Sequence, residues 1–185
     1  MQLKLIDKQK RLLDKERVKI NEYATKALQN SKRAIFALQR QDEKAAKDLL
    51  SDASQNITKC RLILKNNPIL WSEAAFKACL EEYAEAKLFE SHLKGKMEIP
   101  KDLKDDTHAI LGGLADAAGE IARHAVLRAT EHDKQSVEKA HATVLEIVDM
   151  LAQLDLTGSL RSKFDQSKSH LRRIEDIRYD LSREK

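Results

Sequence analysis

Glycine and proline are scarce in this chain, 5 and 2 among 185 residues. Sheets of many strands need turn residues at each reversal, so this scarcity excludes a strand-rich domain and leaves long helices joined by short loops. Aromatic residues make up only 4%. Trp71, Tyr23, Tyr83 and Tyr179 are too scattered for a base-stacking platform, so any nucleic acid would be held by its backbone. The two cysteines, Cys60 and Cys79, have no CxxC spacing and read as small buried hydrophobes in a reducing compartment. No apolar run approaches the ~18 residues of a membrane span, and no apolar N-terminal stretch reads as a secretion signal. A cytoplasmic protein without membrane contact is expected. A Gly-rich phosphate loop and a Ser or Cys nucleophile motif are also missing.

What is present is charge and helix formers. Charged residues are 35%, and Ala, Leu, Lys, Glu, Asp and Arg dominate, which favours helix. Helices this polar have narrow apolar stripes and often bury more surface by oligomerising. The net charge of +4 is unevenly spread. Residues 1–70 carry 16 Lys and Arg against 8 Asp and Glu; residues 71–156 carry 10 against 17; residues 157–185 carry 8 against 5. An acidic middle between basic ends suits a phosphate-binding surface around a cation or acid/base centre, although solvated helix faces produce the same pattern.

Periodicity predicts a first helix over Leu3–Arg40, with apolar positions Leu5, Leu12, Ile20, Ala24, Ala27, Leu28, Ala34, Ile35 and Leu38. It is either one long helix or two with a subtle break. Asp42 is a candidate N-cap for a second helix over 43–65, which Pro68 ends. A third is expected over Ser72–Leu93, with Ser72 as a possible cap and Gly95 as its stop. Gly95–Asp106 reads as the longest loop. Thr107 is the candidate cap of a fourth helix to Thr130, a fifth covers Gln135–Leu154, and a sixth starts at Ser159. The fold class is all-α: a bundle of about six to seven helices, with a long N-terminal one, in a single domain over residues 1–185.

Two acidic clusters stand out. Glu82 and Glu85 lie three apart on the third helix; Asp116 and Glu120 lie four apart on the fourth. Each pair shares a helix face. The fourth helix is mostly apolar, so its carboxylates are expected to be partly buried. Two facing carboxylate pairs can share a divalent cation, and carboxylate oxygen is a ligand that Mg²⁺ and Mn²⁺ prefer. Such a site could activate water and stabilise a phosphoryl group. Spacing alone leans toward a plainer reading, with the glutamates paired to lysines and Asp116 in a local hydrogen bond. His124 continues the Asp116/Glu120 stripe, but a packed or solvated histidine is the more usual outcome. Gly112, Gly113 and Gly119 inside this helix call for close helix approach or room for a ligand.

Several segments resemble the translin/TRAX family. They are Ser31–Arg40 (SKRAIFALQR), Glu43–Leu50 (EKAAKDLL), Glu82–Phe89 (EYAEAKLF), Ile110–Arg123 (ILGGLADAAGEIAR) and Ile174–Leu181 (IEDIRYDL). The third is similar to the family's E-Y-V-E-A-x-x-F, with Ala84 in place of Val, and the fourth to L-G-x-A-D-x-x-G-E-L-x-R. The resemblance implies an all-helical fold, a hollow oligomer (commonly an octamer) and binding of single-stranded RNA or DNA. In the TRAX branch it also implies an acidic, Mg²⁺-dependent site that cleaves single-stranded RNA, removing passenger strands in RNA silencing and trimming tRNA-processing fragments. Translin-like chains typically lose the Asp and Gly of D-x-x-G-E, and here Asp116, Gly119 and Glu120 are all present. The resemblance therefore carries Glu82, Glu85, Asp116 and Glu120 as metal and catalytic residues, with Gly119 giving the site room. Lys32, Arg33, Arg40, Arg123, Arg172 and Arg173 are the candidate nucleic-acid contacts, some of them serving subunit contacts instead. The expected function is a Mg²⁺ (or Mn²⁺)-dependent endoribonuclease, with a non-catalytic single-stranded RNA/DNA binder as the alternative. With no long C-terminal extension, a homo-oligomer is expected rather than a requirement for a translin-like partner subunit.

Overall fold

The structure, a computed structural model, describes residues 2–183. Among these, six α-helices and two short 3-10 turns account for the regular structure. The helices are α1 (Gln2–Gln39), α2 (Glu43–Asn66), α3 (Ala74–Leu93), α4 (Thr107–Thr130), α5 (Lys134–Ala152) and α6 (Gly158–Arg183). None is long and apolar enough to cross a membrane. The chain divides into two compact units, residues 1–83 and 84–185, with the boundary inside α3.

In the first unit α1 is one continuous helix packed antiparallel on α2. It ends by local chemistry. The Gln41 and Asp42 N–H groups return to the Leu38 and Ala37 carbonyls at 3.0 and 2.9 Å, with Gln41 left-handed at φ 62°. Asp42 then caps α2, its side chain accepting from the Ala45 N–H at 3.0 Å. Ile20, Ala24, Ala27, Ala34, Ile35 and Leu38 of α1 are buried, as are Ala46, Leu50, Ala53, Ile57, Cys60 and Leu64 of α2. The apolar stripe is buried only from Ile20 onward: Leu5 and Leu12, expected in it, are 57% and 54% exposed. Ten consecutive residues, Leu3–Leu12, are exposed, because α1 runs past the surface its own unit can cover. Ser72 lies in the 3-10 turn Pro68–Ser72 and does not cap α3, which begins two residues later.

In the second unit α4, α5 and α6 pack against one another. Arg178 and His141 fix α5 against α6 through Glu138 (2.8 Å) and Glu175 (3.8 Å). The α3 segment in this unit ends at Gly95, whose φ of +83° suits glycine. There the N–H groups of Gly95 and Lys96 close on the carbonyls of His92 and Ser91. The loop that follows is tied down by a 3-10 turn, Lys101–Leu103, with Leu103 fully buried. Thr107 is the first residue of α4; the cap position is Asp106. Asp133 caps α5, accepting from the Ser136 N–H at 3.0 Å.

Candidate functional site

α4 is apolar around most of its circumference because it is covered from several sides. Ala115, Ala117, Ala118, Ile121 and Ala122 are all buried. Asp116 and Glu120 occupy the remaining strip, their side chains 27% and 22% exposed. A carboxylate this far out of water needs a hydrogen-bonding or charged partner to stay ionised. Asp116 has the ammonium of Lys163 from α6. Glu120 has Arg123 one turn on, with Nη1 3.7 Å from Oε2 and the arginine head half in solvent.

The register of α6 on α4 is set by small groups. Ser167 is fully buried. Its hydroxyl lies 3.1 Å from the Ala115 carbonyl oxygen and 3.0 Å from that of Lys163, its single hydrogen shared between them. One turn on, His170 crosses α4 at Gly119. A Cβ there would stand 3.0 Å from the imidazole Nε2, closer than side-chain atoms normally approach. The room left by Gly119 is thus taken by a histidine from α6. Lys163 and His170 are the two residues at this strip that sequence reading missed. They recur at seven residues on α6, but nothing in that spacing says which helix they face.

On α3, Glu82 and Glu85 are both half-buried. Within the first unit, Lys32 Nζ lies 3.8 Å from the Glu82 carboxylate, so Lys32, expected at phosphate, stands beside an acid. Arg33, Arg40, Arg172 and Arg173 are exposed. Glu90, which drew no functional reading, is buried between Lys87 and Lys94. Burial pushes its carboxyl pKa up, but hydrogen bonds from the two lysines outweigh that and hold it below the ordinary value.

His124 is a packed histidine, 8% exposed, its ring edge-on to Phe89 with centroids 6.0 Å apart. Its Nδ1 is buried without a hydrogen-bond partner. Burial, reinforced by Arg128 and Lys139, holds its pKa below the ordinary value. His92 is 3% exposed and has Nδ1 3.0 Å from the Thr143 hydroxyl. Burial, Lys139 and His124 lower its pKa to about 4. The thiol of Cys60, also buried, is pushed up to about 11; both cysteines are buried thiols outside any disulfide.

Among the described residues, no group of three His, Cys, Asp or Glu side chains is arranged to hold a metal ion by itself. Mg²⁺ does not need one: it commonly keeps several waters and takes one or two carboxylates together with substrate phosphate. Asp116 and Glu120 are hard oxygen donors on one helix face, and Asp116 already draws in a cation, the Lys163 ammonium. That pair of donors fits such an ion.

The sequence matches the Translin family over residues 15–183. The chain belongs to that family. Three solved structures share the fold. Apo-NeC3PO is 22% identical with a TM-score of 0.87, the match covering 97% of this chain and 96% of that one. AfC3PO is 21% identical with a TM-score of 0.91, covering 98% and 97%. AfC3PO in a complex with duplex RNA is 21% identical with a TM-score of 0.78, covering 98% and 97%. No curated protein matches the sequence. Translin-family membership and the all-α fold agree with the motifs read from residues 31–50, 82–89 and 110–123. Whether the chain is of the TRAX or the translin type turns on the chemistry of the α4 strip.

Proposed function

We propose that this translin-family chain is a divalent-cation-dependent endoribonuclease of the TRAX type, acting on single-stranded RNA. The observation that carries the reading is the α4 strip: Asp116 and Glu120 on one half-buried face of an otherwise apolar helix, with a cation held on Asp116. Family resemblance adds Glu82 and Glu85 of α3 to the set. Two isolated surface acids would not need the apolar setting.

Mg²⁺ or Mn²⁺ at these carboxylates would lower the pKa of a bound water and offset charge on the phosphate oxygens. The chain's own part is to aim the carboxylates and hold the strand. The helical spacing of Asp116 and Glu120 keeps their oxygens on one side. Arg123, half in solvent beside Glu120, offers a planar fork to phosphate oxygens. Arg33 of α1, Arg40 in the turn that follows it, and Arg172 and Arg173 of α6 are exposed cations suited to the RNA backbone. The relative AfC3PO has been solved with duplex RNA, which supports RNA as the ligand class. Single-stranded DNA, bound without cleavage, fits the same backbone contacts.

The chain is further proposed to assemble with copies of itself into a hollow oligomer, as the resemblance implies, with an octamer the leading stoichiometry. The exposed apolar residues Leu3, Leu5, Ile6, Leu12 and Val18 on α1 are the support in this chain. Light scattering on the purified chain tests it. A monomer that assembles only with a second, translin-like subunit would sink self-assembly.

The deciding experiment is cleavage of a labelled single-stranded RNA with Mg²⁺, with EDTA, and by the Glu85→Ala and Asp116→Ala proteins. Cleavage with Mg²⁺ that is lost with EDTA and in both variants establishes the reaction and its site together. The second reading, a translin-like binder without turnover, is favoured by the ion pairs of Glu82, Asp116 and Glu120 with the chain's own cations. It predicts tight binding abolished by salt and no cleavage under any condition.

A further inference from the structure

Lys163 is the best-held cation at the α4 strip. Its side chain is only 25% exposed and its ammonium meets an Asp116 carboxylate oxygen. One turn further along α6, Ser167 pins the backbone to Ala115, so the lysine stem starts from a fixed point. The other strip cation is looser: Arg123 is 52% exposed and 3.7 Å from Glu120. A divalent ion arriving at Asp116 meets a positive group already in place. Two cations sharing one partly dry carboxylate repel, so entry of the ion requires the ammonium to move off.

We infer that Lys163 is the site's resident counter-ion, a positioning residue that holds the Asp116 carboxylate in place in the cation-free protein and, by competition, sets how tightly a divalent cation binds. The inference rests on the reading of Asp116 and Glu120 as cation ligands. It assigns α6 a part in the site that the acidic motifs alone do not contain. It also makes metal affinity a tunable property of one lysine, separate from the carboxylates themselves.

The test is Mn²⁺ binding, read by electron paramagnetic resonance on the RNA-free full chain at low salt. It compares wild type, Lys163→Gln, Lys163→Arg and Asp116→Asn, with helicity checked by circular dichroism. Removing a partly exposed ion-pair partner is worth up to about fivefold in an equilibrium constant. Lys163→Gln should therefore bind Mn²⁺ up to about fivefold more tightly than wild type. Lys163→Arg, which restores a cation, should stay within about twofold of wild type. Asp116→Asn should bind weakly. Unchanged or weaker binding by Lys163→Gln overturns the inference. If that variant loses its helices, Lys163→Met keeps the apolar stem against α4, and the same outcomes are read from it. The wider nuclease reading fails differently, with Asp116→Asn cleaving RNA and binding Mn²⁺ as wild type does. No Mn²⁺ binding by any of the RNA-free proteins overturns the inference, while the nuclease reading is then decided by Mg²⁺-dependent cleavage.

Discussion

Lowering the pH should destabilise the second unit through His92, and the size of the effect can be worked out. The imidazole is 3% exposed, bonded through Nδ1 to the Thr143 hydroxyl and faced by Lys139 and His124. Its pKa falls from 6.5 in the unfolded chain to about 4 when folded. The neutral ring is thus the folded form. Above the unfolded value neither state binds the proton, and stability is at its full level. Between that value and the folded pKa the unfolded chain takes up a proton that the folded chain refuses, so stability falls as pH falls. At about pH 5 most unfolded His92 is protonated against roughly a tenth of the folded form, which removes about 2 kcal/mol relative to about pH 7.5. His124 shifts in the same direction, for the same reason of burial, and adds to the loss. Urea unfolding followed by circular dichroism at the two pH values, at one protein concentration, measures the difference. A His92→Gln protein should lose about 2 kcal/mol less than wild type over the same interval. Equal losses in the two proteins, or a gain in wild type on acidification, would refute the reasoning.

Other outcomes follow from the same contacts. Phe89 is fully buried against His124, and Phe89→Ala should cost about 3–5 kcal/mol in chemical denaturation. Gly95→Ala places a Cβ on a left-handed residue (φ +83°) whose nearest neighbour, Lys139 Nζ at 3.7 Å, is no obstacle; the cost should be purely conformational, about 1 kcal/mol. Asp133→Ala removes the cap bonds to Ser136 and should cost about 1 kcal/mol, whereas Asp133→Asn retains most of it. Arg172→Gln, at an exposed α6 position, should weaken RNA binding alike for all sequences and reduce the salt slope by about 1; an unchanged slope would move Arg172 from the RNA face to a subunit contact.

The carboxylates of this protein are arranged in a way that neither simple reading of the motifs anticipated in full. Glu82 and Asp116 each face a lysine of the same unit, which is the plain structural outcome for acids on helices. Yet Asp116 and Glu120 sit on a strip that is otherwise apolar, beside a glycine whose missing side chain admits His170. Glu90 is gripped by two lysines at 2.5 and 2.6 Å, whereas Glu120 lies 3.7 Å from its arginine.

Much of this was written in the chain at short range. Sparse glycine and proline made the fold helical. The Asp42 cap, the Pro68 break and the Gly95 stop each act within one helical turn, and each lies where residue type alone placed it. The common face of Asp116 and Glu120 follows from helical geometry without any tertiary knowledge. Where reading along the chain failed, the deciding partner came from elsewhere. Leu5 and Leu12 have the spacing of core residues but have no helix of their own unit to cover them. Ser72 yielded its cap position to a 3-10 turn that buries Leu70. His92 and His124 are ordinary histidines in sequence; only burial among α3, α4 and α5 side chains makes them reluctant bases. The tertiary fold alone decided that Lys163 meets Asp116 and His170 covers Gly119, because a helix declares its own faces through its period but not which neighbour each face will touch.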